Sequence, residues 1–161
     1  MKTKKYIQLT LTMALALSAW ACNDDTKDDT PPRITDTGIT CNPIDCQVYQ
    51  RGDMIPFRYV FEDDTELGSY NIEIHDNNDH HTHSTSSVEC EADGHDHESH
   101  PEGSPWVYNK DFTIPAGLKS YAASIDIPIP DNIGKGDYHF MIRLTDKAGW
   151  QQIKGIAIRI E

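Results

Sequence analysis

From residue 54 onward the chain alternates apolar and polar positions with period two, in short runs separated by turn residues. That is the signature of half-buried β-strands. MIPFRYVF over 54–61 is the first clear strand, entered from the turn at Arg51-Gly52-Asp53. LGSYNIEIH over 67–75 puts Tyr70, Ile72 and Ile74 on one face and Asn71, Glu73 and His75 on the other. A looser strand is predicted over 106–114. Another follows over 120–129, with Ile125, Ile127 and Ile129 in phase. GDYHFMIRLT over 136–145 turns Tyr138, Phe140, Ile142 and Leu144 inward. Asp146-Lys147-Ala148-Gly149 then reverses the chain, and 153–160 closes with Ile156, Ile158 and Ile160 in phase. Residues 33–40 supply a first edge strand. No segment from 33 on has a convincing helical period. About seven short strands in a domain of this size predict an all-β, immunoglobulin-like antiparallel β-sandwich over 33–161. The inter-sheet disulfide of antibody domains has no counterpart in the pattern. Another small antiparallel barrel is the alternative.

The start of the chain reads differently. Lys2, Lys4 and Lys5 precede an apolar stretch that ends in Ala19-Trp20-Ala21-Cys22. Residues 1–21 are read as a signal peptide, too short and too weakly apolar to remain as a membrane span. The small residue before Cys22 resembles a bacterial lipobox, which makes Cys22 the lipidated residue and the membrane anchor. Residues 22–32 contain NDDTKDDTPP, which cannot bury a core and is read as an acidic, flexible tether. An acidic run after the lipidated cysteine resembles a surface-export signal. The expected location is therefore the outer membrane, facing the cell surface or the periplasm.

Charge narrows the partners. The 161 residues carry a formal net charge of −12, and loss of the leader with its three lysines takes this to −15. So acidic a chain repels phosphate backbones, which argues against nucleic acid and makes cations the natural partners. The candidate ligands for a cation are concentrated in one place. Seven of the eight histidines fall in HDNNDHHTHSTSSVECEADGHDHESH: His75, His80, His81, His83, His95, His97 and His100. This His/Asp-rich loop, 76–105, also holds Cys90 and several carboxylates. Imidazole, carboxylate and thiolate are the ligand set of zinc, with copper and nickel competing for the nitrogens. His81-x-His83 and His95-x-His97 are pairs that an extended chain turns to one side.

The fold sharpens the expectation. If strand 67–75 pairs antiparallel with strand 136–145, the end of one lies beside the start of the other. His75 and His139 are then neighbours at one end of one sheet, where the loop departs. The expected site is His75, His139 and the His81/His83 pair, on the principle that strands hold ligands better than loops. His80, His95, His97, His100 and Cys90 form a second, looser set. A solvated, incidental loop is the plain alternative.

Cysteine usage adds a redox expectation. Export implies an oxidising compartment. Cys41 and Cys46 bracket a Pro-containing turn, and a Cys41–Cys46 bridge is the favoured pairing. Cys90 is then a metal ligand, a free thiol or the partner of one of the others. The sequence contains no Gly-rich phosphate loop, G-x-S-x-G or H-E-x-x-H, so the chain is read as a binding module and not an enzyme.

YNIEIHDNNDHHTH, the I-x-I-P of 125–128, GDYHFMI over 136–142 and TDKAG over 145–149 together resemble domain-of-unknown-function family 4625, small lipoprotein domains of Bacteroidetes-type bacteria. The resemblance covers roughly 31–161. It implies an immunoglobulin-like fold and an outer-membrane lipoprotein, with no established activity. His75, His81, His83 and His139 match the family's recurrent histidines. Its histidines before the I-x-I-P strand are replaced here by Tyr121-Ala122-Ala123-Ser124. That leaves a shared metal site one ligand short unless Cys90 or another loop histidine replaces it. The expectation is a lipid-anchored, zinc-binding envelope module, with an outer-membrane transporter or another envelope protein as partner. An adhesion module contacting a protein or glycan is the rival.

Overall fold

The computed structural model describes residues 27–35, 39–76 and 103–161, and these form a sandwich of two β-sheets with no helix. The first sheet contains β1 (Arg33–Thr35), β3 (Met54–Glu62) and β6 (Ser120–Pro128), in the order β1-β3-β6. The second contains β2 (Gln47–Tyr49), β4 (Leu67–Asp76), β5 (Tyr108–Thr113), β7 (Gly136–Asp146) and β8 (Gln151–Ile160), in the order β2-β8-β7-β4-β5. All pairings are antiparallel except β2 with β8, which is parallel.

Period two drives the assembly. Along β3, Ile55, Phe57, Tyr59 and Phe61 are buried while the residues between them are not. Tyr70, Ile72 and Ile74 of β4 face them, as do Tyr138, Phe140, Ile142 and Leu144 of β7 and Ile156, Ile158 and Ile160 of β8. The two sheets meet ring on ring. Phe57 stacks on Tyr70 at 6.1 Å and on Phe140 at 5.8 Å, across the interface. Pro56 sits within β3 because β1 covers only Val60–Glu62 of that strand, so the missing N–H falls where β1 does not pair. Trp106 precedes β5 yet is buried against Tyr138, with ring centroids 5.8 Å apart.

The predicted strands are present, four of them one or two residues longer than expected and the others shorter. The edge strand expected over 33–40 is described only as Arg33–Thr35, and the looser strand of 106–114 contracts to Tyr108–Thr113. The eighth strand, β2, was not anticipated: three residues show no period, and its existence depends on pairing with the last strand of the chain. Arg51-Gly52-Asp53 is a turn, as read. Gly52 has φ of 83°, and a Cβ there would strike the side chain of Asp131.

Three tyrosines give the core a pH limit. Burial pushes the phenols of Tyr49, Tyr70 and Tyr138 up to about 12. A hydrogen bond from Tyr49 to Asn42 opposes this, nearby Tyr121 and Tyr108 add to it at Tyr70, and Asp76 adds to it at Tyr138, where Arg51 opposes. The folded chain thus holds these protons more tightly than the unfolded chain. Their stabilisation is complete below pH 10 and is lost as pH rises toward about 12. Cooperative alkaline unfolding is expected inside that window, with tyrosinate absorbance and loss of β-sheet circular dichroism rising together. Full ionisation near pH 10 in a chain that keeps its native spectrum would contradict this assignment.

Candidate metal centre

β4 and β7 pair antiparallel in a register that sets His75 directly opposite His139. Each lies in the outward phase of its strand, next to inward Ile74 on one side and between Tyr138 and Phe140 on the other. The two imidazoles tilt at 49° with centroids 5.5 Å apart. Rings sharing one tetrahedral Zn²⁺ at a Zn–N distance of about 2.05 Å have centroids about 5.2 Å apart, so the observed spacing fits a shared ion. His139 is 6% exposed despite its outward phase. Glu73, two residues back on the same face of β4, brings Oε1 to 3.3 Å from Nδ1 of His75. A carboxylate at that distance is suited to orient a ligating imidazole. β4 ends at Asp76, so the histidine-rich segment leaves from this rung. His80, His81, His83, His95, His97, His100 and Cys90 lie outside the described residues, as do Cys22 and the leader.

One cysteine is anchored beside the same rung. Across β7 from His75, His139 pairs with Ala157 of β8. Ala157 accepts from the backbone N–H of Cys46 at 2.8 Å and donates to Oδ1 of Asp45 at 3.0 Å. Cys46 is disulfide-bonded, whereas Cys41 is free. The favoured Cys41–Cys46 bridge is therefore corrected. The physical reason is that the intervening residues cross between the sheets. Asn42 exchanges two backbone hydrogen bonds with Arg58 of β3, at 3.1 and 2.9 Å, while Cys46 is bound to β8. Cys41 packs against the core, and Cys46 is exposed with φ of 60°. The partner of Cys46 lies outside the described residues.

Among the described residues, one group of three potential ligands has its atoms within 4.8 Å of one another, and it contains no histidine. It is Asp28, Asp63 and Asp64. Asp28 precedes β1, Asp63 and Asp64 form the turn between β3 and β4, and Asp146 ends β7 nearby. The peptide N–H groups of Thr65 and Glu66 donate to Oδ1 of Asp63 at 2.8 and 2.7 Å. Those of Gly149 and Trp150 donate to Oδ1 of Asp146 at 2.7 and 2.9 Å. Burial pushes the Asp146 carboxyl above the usual carboxylate range; these two amides oppose the shift, and the charges of Asp28 and Asp63 add to it. No periodicity marks these residues. The available signal was aspartate recurring at strand ends, where its side chain can bond the peptide N–H groups of a turn.

A family model described as a domain of unknown function (DUF4625) matches residues 20–161. No curated protein matches the chain.

Proposed function

The chain belongs to the DUF4625 family, and we propose that it is a lipid-anchored module of the bacterial cell envelope that binds a transition metal, zinc before copper or nickel. The observation that supports this reading is the His75–His139 rung: two imidazoles on rigid neighbouring strands, 5.5 Å apart, where the histidine-rich segment departs. In the proposal His75 and His139 supply two ligands and His81 and His83 complete a tetrahedral set. His80, His95, His97 and His100 capture the ion and deliver it, while Cys90, expected from the sequence as a ligand, is taken up in a disulfide instead. Glu73 keeps His75 oriented. In the proposal the module binds its ion and carries out no bond chemistry. It holds an ion for an envelope partner, such as an outer-membrane transporter.

The anchoring chemistry assigns the disulfide. Acylation of Cys22 uses its sulfur, so the partner of Cys46 is Cys90. The bridge would bring the middle of the histidine-rich segment to the edge of β8, one strand from His139. Non-reducing proteolysis with mass spectrometry is expected to give a Cys46–Cys90 peptide and an alkylatable Cys41. A Cys22–Cys46 peptide would reject both the pairing and the lipid anchor.

The function is tested by titrating the full chain, purified in detergent, with Zn²⁺ at neutral pH. One equivalent bound with micromolar or tighter affinity is expected, order of magnitude. Binding abolished by deletion of 85–100 but not by His139→Ala would move the site into the loop. Absence of stoichiometric binding would replace the proposal with the adhesion module.

A further inference from the structure

We propose that β6 is a docking edge for a second copy of this chain, and that two β1-β3-β6 sheets join through it into one continuous sheet. The inference goes beyond metal binding and does not depend on it.

The sheet edges are β1 and β6 in one layer and β2 and β5 in the other. Three of these are protected against pairing. β1 and β2 are three residues each. β5 directs a charge inward: Lys110 is opposite buried Ile72, and its Nζ is 5.3 Å from the ring centre of Phe112. Short strands and inward charges are the usual devices that keep an edge single. β6 has neither. It pairs with β3 over nine residues, Ser120–Pro128, with no bulge. Its one charge, Asp126, is met inside the sheet by Nη2 of Arg58 at 2.8 Å. Its one proline is the last residue.

The ladder fixes which backbone groups face out. The Asp63 N–H donates to the Lys119 carbonyl at 2.9 Å, and the Ile129 N–H donates to the Asp53 carbonyl at 2.8 Å. Arg58, between them on β3, exchanges its backbone bonds with Asn42 on the other side. Bonding alternates along an antiparallel pair. The odd residues of β6 therefore bond β3. The even ones, Ser120, Ala122, Ser124 and Asp126, aim N–H and C=O out of the sheet. All four are exposed, and among the described residues no strand lies beside them.

A second copy fits this edge by its own symmetry. With the two-fold axis at Ala123, Ser120 falls opposite Asp126 of the second copy, and Ala122 falls opposite its Ser124. All four outward residues then form closely bonded pairs, with about eight hydrogen bonds in all. On the inner face Tyr121 falls opposite Ile125 of the second copy. Both are half-buried, packed against the core at its open side. An aromatic facing a β-branched residue is a favourable cross-strand pair. Ala123 meets its own copy and is small enough for the narrow Cα spacing of about 4.5 Å between residues that exchange no bonds. The two Asp126 carboxylates stay about 20 Å apart along the strands. An unrelated extended peptide would satisfy the backbone but not this match of side chains, so the occupant is a second copy.

The test is sedimentation equilibrium of the full chain in density-matched detergent, with chelator present so that no metal bridges histidines. A monomer–dimer equilibrium with micromolar Kd, order of magnitude, is expected for a strand-sized interface. Ser124→Pro removes an N–H that β3 does not use. It should weaken the dimer at least about 10-fold while the β-sheet circular dichroism is retained. Should that variant fail to fold, charge pairing takes its place. One chain carries Ala122→Lys and Ser124→Lys, and another carries Ala122→Asp and Ser124→Asp. Each should be monomeric alone, because like charges meet across the axis, and mixing the two should restore a one-to-one dimer. A dimer that survives Ser124→Pro and the like-charged variants would overturn the assignment. So would a parent that is monomeric at about 100 µM, which would leave the edge to an extended segment of another protein.

Discussion

Replacing Phe57 with alanine will cost the domain about 3–5 kcal/mol. Domains of this kind are stable by only about 5–15 kcal/mol, so the variant will be marginally folded. The expectation follows from where the ring sits. Phe57 is fully buried and touches the rings of Tyr59 and Phe61 on its own strand. It also stacks at 13° and 16° on Tyr70 and Phe140 of the opposite sheet. Removing it leaves a cavity in the seam between two sheets, lined by rigid aromatic rings. Sheets held by their hydrogen-bond ladders cannot close on such a gap by sliding side chains, so the cost should fall in the upper part of the range. Denaturant unfolding should show the loss at unchanged slope, and Tm should drop by roughly 10–20 °C. A loss below about 1 kcal/mol would mean that the sheets do not meet at this ring.

Much of this architecture is written locally. β3, β4 and β7 alternate over nine to eleven residues, and β8 carries the period in Ile156, Ile158 and Ile160. That is long enough for the period to identify the inward face without knowledge of the partner strand. The His75–His139 rung was legible for the same reason: once the faces and the antiparallel pairing are assigned, the register follows from the strand ends. What escaped is what depends on distant segments meeting. β2 is three residues long and exists because β8 offers an edge to it. Cys41 and Cys46 are close in sequence, yet the hydrogen bonds of Asn42, next to Cys41, and of Cys46 draw the two ends of the turn toward different sheets. Asp28, Asp63 and Asp64 come from the N-terminal approach and the β3–β4 turn, so sequence spacing carries no trace of their convergence. Asp28 was read only as part of a polar tether, because composition reports the solubility of a segment and not what it touches.

The two ends of β7 thus carry different chemistries, nitrogen at one and carboxylate oxygen at the other, and the nitrogen end yields the second large effect. His139→Ala should weaken Zn²⁺ binding by at least about 100-fold, since losing even a group that orients a ligand costs about 10–100-fold. His139 is the more consequential member of its rung. It is on an interior strand of the sheet, between β4 and β8, and is 6% exposed, so neither backbone nor side chain can shift to compensate. His75→Ala should cost a similar factor. The double variant should cost little more than either single one, because an ion held by the loop alone no longer uses the rung. Glu73→Gln should reduce affinity more modestly, through the loss of the carboxylate 3.3 Å from His75. Competition with a chromophoric chelator measures all four variants at one pH. Repeating the parent titration at lower pH adds an independent arm. Coordinating imidazoles must be neutral, so zinc affinity should fall steeply below about pH 6. Affinity that survives the double variant and is flat with pH would place zinc on carboxylates, and the histidine rung would then be ordinary surface chemistry.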